Sequence, residues 1–173
     1  MTHFRHVLEA RLPQALELGP GRLHELVTLA SLVEKETPDA SERPIIAGIF
    51  ERRIEKGWPL QCDPTVIYAI RLKYGLMGRT IGPLTWTDLA VESPYNTYRQ
   101  GGLPPGPICS PGEASLGAAL DPGPGDLLYF VSNNHGGHLF ARTLAEHHRN
   151  VARYRREMAA LRRRTSEAKN DAR

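Results

Sequence analysis

Two carboxylates, Glu34 and Glu36, close the stretch LASLVEKET, and their setting makes them the first candidates for chemistry. Thr37 precedes Pro38 and is pushed away from helical dihedrals, so a helix running through this stretch ends near Glu36. Both acids then lie beside unpaired carbonyls at the negative end of an apolar helix. Burial and the helix dipole each raise a carboxyl pKa, which is what a general acid needs near neutral pH. The two side chains point about 200° apart around the helix and cannot serve one site from one face. A helical wheel sets Glu34 between Val27 and Ala30 in the apolar stripe and Glu36 on the flank beside Leu29 and Leu32, which slightly favours Glu34 as the more desolvated group. Ordinary pairing with Arg43, Arg52 or Arg53 is the competing account of either acid.

Other groups qualify the choice. Asp63 is a second carboxylate, but Asp63-Pro64-Thr65 also reads as a helix start with Asp63 as N-cap and Pro64 at the first helical position. From Glu92 to Ser110 the sequence ESPYNTYRQGGLPPGPICS shows no period, and aperiodic segments longer than ~12–15 residues in a folded domain are usually functional or disordered. Tyr95, Asn96, Tyr98 and the PPGP turn argue for an ordered loop lining a polar cleft. The seven histidines do not make a metal site: among His135, His138, His147 and His148 the adjacent pair would diverge on a helix, so no metal and no cofactor is expected. No nucleophile elbow, phosphate-cradling loop or dinucleotide fingerprint is present. Acid chemistry on an uncharged polar bond, such as a glycosidic bond, fits what remains.

These residues need elements to hold them. Leu23, Leu26, Val27, Leu29, Ala30 and Val33 make the helix carrying the acids mostly buried, with His24, Thr28, Ser31 and Lys35 as a narrow polar strip. Before it, Phe4 to Leu18 has helical spacing that Pro13 kinks or splits, and Gly19-Pro20-Gly21 separates the two. A further helix starts at Ser41 and ends at Gly57, with Ile45, Ile46, Ile49, Phe50, Arg53 and Ile54 on one face. Thr85 and Asp88 form a capping box for a short helix, and Ser110 and Glu113 another with Pro111 at the first helical position. Leu127–Val131 reads as a strand, His138–Ala141 as its hairpin partner, and Thr143 with Glu146 caps a long final helix.

With 173 residues, 40% hydrophobic and 24% charged, the chain has the composition of a soluble globular protein with a sizeable core. No apolar run approaches the roughly 18–20 residues that span a bilayer, and no signal peptide opens the chain. The net charge of +3 is uneven: residues 142–173 hold ten Lys/Arg against four Asp/Glu, the first 141 twelve against fifteen. The basic end lacks the interleaved aromatics of a nucleic-acid surface and reads as a solvated helix end, so no nucleic-acid partner is expected. Cys62 and Cys109 are too few for a disulfide framework and are not spaced as metal ligands.

The runs LASLVEKET, SERPIIAGIFERRIEKGWPLQCDPTVIYAI, ESPYNTYRQGGLPPGPICSPG, LYFVS and GGHLFARTLAEHHRNV closely resemble the catalytic domain of the endolytic murein transglycosylases, the MltG or YceG-like family. The resemblance covers roughly Leu26 to Val151 in order. It implies that the acid is the Glu before the Thr of EKET, here Glu36, with Glu34 as second choice. It implies substrate contacts from Gln61 and Asp63 of the QxDPT motif, from Tyr95, Asn96, Thr97 and Tyr98, from the turn containing Leu103 and Pro104, and from His138. Cys62 stands where the family often has Ser or Thr, and His148 where it often has Asn.

The reaction so implied is cleavage of the MurNAc–GlcNAc bond inside peptidoglycan glycan strands with 1,6-anhydro-MurNAc ends, on the extracytoplasmic face of the bacterial cytoplasmic membrane, with cell-wall synthases as partners of full-length relatives. A hydrolase pairing Glu36 with Asp63, and a non-catalytic glycan-binding module, are the alternatives. The expected fold is α+β, helices packed around a small antiparallel sheet beside a loop-rich cleft. Residues 1–20 are read as a helical remnant of a longer protein, 21–164 as the catalytic domain and 165–173 as a frayed basic tail.

Overall fold

Pro13 splits the opening helix. In the computed structural model, which describes residues 2–171 and side chains from 6 to 163, α1 covers Thr2–Arg11 and a 3₁₀ turn follows at Pro13–Glu17. Helix α2, Pro20–Glu36, begins one residue after Gly19, so Pro20 and Gly21 belong to its first turn rather than to a spacer. Thr37 is extended (φ −137°, ψ 135°) and stops it where Pro38 requires.

The chain divides into two compact units, meeting in sequence at Gly125 and Asp126. In the first, α2, α3 (Arg43–Glu55) and α6 (Glu113–Leu120) pack against one another. Leu32 and Val33 of α2, Ile46, Ile49 and Phe50 of α3 and Leu116 of α6 are almost wholly removed from water. Each such side chain contributes about 1.5–3 kcal/mol by burial, so the end of α2 is firmly held. Gly48 in α3 permits a close approach: a Cβ there would lie 2.3 Å from the Gly123 carbonyl oxygen. A second cluster, Val66, Ala69, Ile70 and Val91, joins α4 (Asp63–Tyr74) to the region of α5 (Trp86–Leu89), with Leu89, Tyr95 and Tyr98 packed on it.

Three helix starts differ from the sequence reading. Ser41 does not begin α3; its N–H and hydroxyl both donate to Asp39 Oδ1 in the preceding turn, at 2.8 and 2.7 Å, and Glu42 holds the cap position. Asp63 is not the N-cap of α4: Cys62 occupies that position and Asp63 is in the first turn. The Ser110/Glu113 capping box does not form: α6 starts at Glu113 after Gly112, whose N–H donates to Glu34, as does the Ser115 hydroxyl. The boxes at Thr85/Asp88 and Thr143/Glu146 form as read.

The long loop from Glu92 to Ser110 carries no helix or strand; one isolated antiparallel bridge ties Gly101 to Pro59. It is stitched to the polar strip of α2. The Ser31 hydroxyl accepts from Ile108 N–H at 3.0 Å, the Cys109 thiol donates to the Ser31 carbonyl at 3.4 Å, and His24 Nε2 lies 2.8 Å from the Pro105 carbonyl.

In the second unit β1 (Tyr129–Ser132) and β2 (His138–Ala141) pair antiparallel, with Phe130 opposite Phe140 and Ser132 opposite His138. The strand read at Leu127–Val131 therefore starts two residues later. Helix α7, Leu144–Asp171, packs on both strands and continues past the point where fraying was expected. The α+β class holds, but the sheet is served by α7, while α2, α3 and α6 pack on one another. Among the described residues, no helix is long and apolar enough to cross a membrane.

Candidate active site

Glu34 and Glu36 have separate fates. Glu34 Oε2 accepts from the Ser115 hydroxyl at 2.7 Å and from Gly112 N–H at 3.1 Å, and Arg43 lies 3.8 Å from Oε1. The Ser115 bond foremost, with Gly112 and Arg43, holds its carboxyl below the ordinary range despite partial desolvation. Glu34 is thus a committed carboxylate at the N-terminus of α6, where negative charge is favoured. The wheel's mild preference for it as the desolvated acid is overturned.

Glu36 is the desolvated one. Burial dominates and lifts its carboxyl to about 7; the Asp63 charge adds to this, while a hydrogen bond from Cys62 and the charge of Arg53 oppose it. The residue as a whole keeps some accessible surface. A group near 7 exchanges a proton readily at neutral pH.

The surrounding groups come from three segments. Arg53, buried on α3, donates to the Leu60 carbonyl at 2.7 Å. From the turn into α4, the Cys62 thiol donates to Glu36 Oε2 at 3.2 Å, and Asp63 Oδ1 accepts from the Tyr98 hydroxyl at 2.5 Å. Burial and the Asp63 bond push the Tyr98 phenol far up, so it stays protonated as a donor. Gln61, exposed between buried Leu60 and Cys62, has a left-handed backbone at φ 52°, and its N–H donates to the Thr97 carbonyl at 3.1 Å. Such a conformation in a non-glycine residue costs on the order of 1–2 kcal/mol and is characteristic of functional turns.

Asn96 and Thr97 are placed behind the site rather than on its surface. Asn96 is wholly buried, with both amide hydrogens given to the Leu89 and Val91 carbonyls at 3.0 and 2.8 Å and its oxygen taking Tyr98 N–H at 3.0 Å. The buried Thr97 hydroxyl accepts from Cys62 N–H at 3.0 Å and lies 2.8 Å from the Thr65 hydroxyl. These buried side chains fix Tyr98 and Cys62. Tyr95 packs against Tyr68 with ring centroids 4.8 Å apart.

Leu103 borders two open hollows along the long loop. One, of ≈ 600 Å³, also involves Ser93, Pro94, Gln100 and Pro105; the other, of ≈ 670 Å³, is shared with Pro104, Arg22, Glu25 and Glu51. Neither is lined by Glu36, so the perturbed carboxyl and not cavity size marks the candidate site. His138 belongs to the second unit, edge-on to Phe130 with ring centroids 5.3 Å apart. Among the described residues no cluster of His, Cys, Asp and Glu could hold a metal ion.

Of the neighbours of Glu36, the sequence offered Arg53 only as an ordinary ion-pair partner and gave Cys62 no role. Arg53 carried a signal, a guanidinium on the apolar face of its helix, which needs a buried partner. Cys62 carried none beyond its place in the QCDPT run.

Fold and site together define a protein that presents one protonatable carboxyl beside a long ordered loop. It belongs to the YceG-like family, whose sequence profile matches residues 1–153. The chain is 42% identical over 132 residues to an endolytic murein transglycosylase of Bacillus subtilis, the match covering 76% of this chain and 35% of that protein. A namesake from Streptococcus pneumoniae is 36% identical over 135 residues, covering 76% of this chain and 24% of the relative. The crystal structure of a putative yceG-like protein from Listeria monocytogenes superposes with a TM-score of 0.66 at 38% identity, covering 84% of this chain and 42% of that one. The chain thus spans between a quarter and two-fifths of the length of these relatives.

Proposed function

We propose that this chain carries the chemistry of an endolytic murein transglycosylase, cutting MurNAc–GlcNAc bonds within peptidoglycan glycan strands on the extracytoplasmic side of the bacterial membrane. The observation that carries the reading is the carboxyl of Glu36, lifted to about 7 at the end of a buried helix. The names borne by the bacillary and streptococcal relatives support it.

Protonated Glu36 donates to the glycosidic oxygen, and the C1–O bond breaks with the proton leaving on the GlcNAc 4-hydroxyl. The resulting carboxylate accepts the proton of the MurNAc 6-hydroxyl as that oxygen bonds to C1 and closes the 1,6-anhydro ring. Glu36 ends protonated, water is neither consumed nor produced, and no second carboxylate is required. Asp63 serves instead to raise the proton affinity of Glu36, its own carboxylate held by Tyr98. Gln61 and Tyr98, from the strained turn and the loop, are the first candidate substrate contacts in this scheme, with Tyr95, Leu103 and Pro104 as further candidates from the loop; His138, in the second unit, is a separate candidate contact. Cell-wall synthases are the expected protein partners.

Digestion of purified peptidoglycan in H₂¹⁸O tests the reading. Anhydro ends without ¹⁸O are expected. Reducing MurNAc ends carrying ¹⁸O would replace it with a hydrolase in which Asp63 activates water.

A further inference from the structure

Glu36 has two carboxyl oxygens, and only one of them is engaged by a described hydrogen bond. Oε2 takes the Cys62 thiol at 3.2 Å. Cys62 is fully buried and its backbone is pinned: its N–H donates to the Thr97 hydroxyl at 3.0 Å, and its carbonyl accepts from the Thr65 hydroxyl at 2.7 Å. Burial and the neighbouring Glu36 charge push the thiol well above its ordinary range, so it stays S–H and can only donate towards the carboxyl.

We infer that Cys62 is a positioning residue for the proposed reaction: by occupying Oε2 it assigns the transferable proton of Glu36 to Oε1, the oxygen left for the substrate. This rests on the reading of Glu36 as the acid. A carboxyl protonated on Oε2 would turn its O–H toward a thiol that is a poor acceptor, whereas protonation on Oε1 keeps the S–H···O bond intact. The S–H is a weak donor, so it orients the carboxylate without stabilising it enough to undo the effect of burial, whereas an O–H in its place would donate more strongly to the same charge. The other charged or titratable groups acting on Glu36 are Asp63, which favours protonation, and Arg53, which opposes it. Tyr98 also faces this group, as its phenol feels the Glu36 charge.

The test measures the titration of the Glu36 carboxyl by ¹³C NMR, assigned with Glu36→Gln, in the full chain and in its Cys62→Ser and Cys62→Ala variants. The pH profile of anhydro-muropeptide release is followed in parallel. Cys62→Ser should lower the midpoint, and Cys62→Ala should raise it, each by about half a unit to one unit, and the alkaline limb of the profile should move with it. Should Cys62→Ala fail to fold, Cys62→Ser decides alone. Midpoints unmoved in the folded variants, with Glu36→Gln inactive, would overturn the positioning role and leave the acid in place. Activity retained by Glu36→Gln would overturn the acid assignment itself, and the role of Cys62 with it.

Discussion

Glu34 and Glu36 leave the same final turn of α2, yet Glu34 Oε2 lies 2.7 Å from the Ser115 hydroxyl and Glu36 Oε2 lies 3.2 Å from the Cys62 thiol. The first bond, together with Gly112 N–H, makes one acid a cap for α6. The second leaves its neighbour desolvated and protonatable. A separation of two residues on a helix achieves this, because side chains so spaced face different neighbours.

Glu34→Ala removes a cap and should cost about 1–2 kcal/mol at neutral pH, read as a lowered denaturant midpoint. Because its folded pKa is depressed, the contribution of Glu34 is complete above the ordinary carboxyl value and fades as pH falls through the lowered one. Parent and variant should therefore converge in strong acid. An equal gap at pH 2.5 and pH 7 would count against the capping role.

Glu36→Gln should behave oppositely. The folded chain holds the Glu36 proton more tightly than the unfolded chain, from its ordinary 4.5 up to about 7. Stability is therefore lost as pH rises through that window and stays low above it. Glutamine cannot ionise, so the variant should be more stable than the parent at pH 8, by about 1–3 kcal/mol after allowing for partial exposure, and indistinguishable near pH 4. Thermal melts at the two pH values measure this. A variant less stable at pH 8 would refute desolvation as the dominant influence on Glu36.

Asp63→Asn separates the two reaction types. Removing its charge should shift the alkaline limb of activity to lower pH, since Asp63 raises Glu36. The loss in turnover should remain below the ~10²–10⁴-fold expected when the general acid itself is removed. Abolition of cleavage with unchanged binding would instead give Asp63 the part of a second catalytic carboxylate.

Gly48→Ala tests the packing beneath the site. Its new Cβ would fall 2.3 Å from the Gly123 carbonyl oxygen, and relief of such overpacking costs typically 1–3 kcal/mol. Urea unfolding should register the loss. A neutral result would mean that the Gly123 turn is free to move.

The helices were legible because their signals are local: the apolar stripe of α2, Pro38 beyond its end, and two capping boxes. Two of the three misread starts share one cause, while Ser41 is taken by its near neighbour Asp39. Ser110 is a good cap by type, but Gly112 holds the cap position and its N–H goes to Glu34, 78 residues earlier. Asp63 is likewise an acceptable cap whose carboxylate is taken by Tyr98 from the loop. Long-range partners override local capping propensity and leave no periodic trace. The same limit applies to the acid. Periodicity found the pair and ranked Glu34 first, whereas resemblance named Glu36, and only packing reveals that Cys62, Asp63 and Arg53 converge on it. The loop's YNTY run stood out by its lack of period, and within it buried Asn96 acts through the backbone it holds.

Mass spectrometry of muropeptides released from purified peptidoglycan by the parent chain, by Glu36→Gln and by Glu34→Gln decides which carboxyl is the acid. 1,6-Anhydro-MurNAc products are expected from the parent and from Glu34→Gln, and none from Glu36→Gln once its fold has been verified. Anhydro products persisting in Glu36→Gln, or vanishing in a folded Glu34→Gln while Glu36→Gln remains active, would contradict the assignment of Glu36.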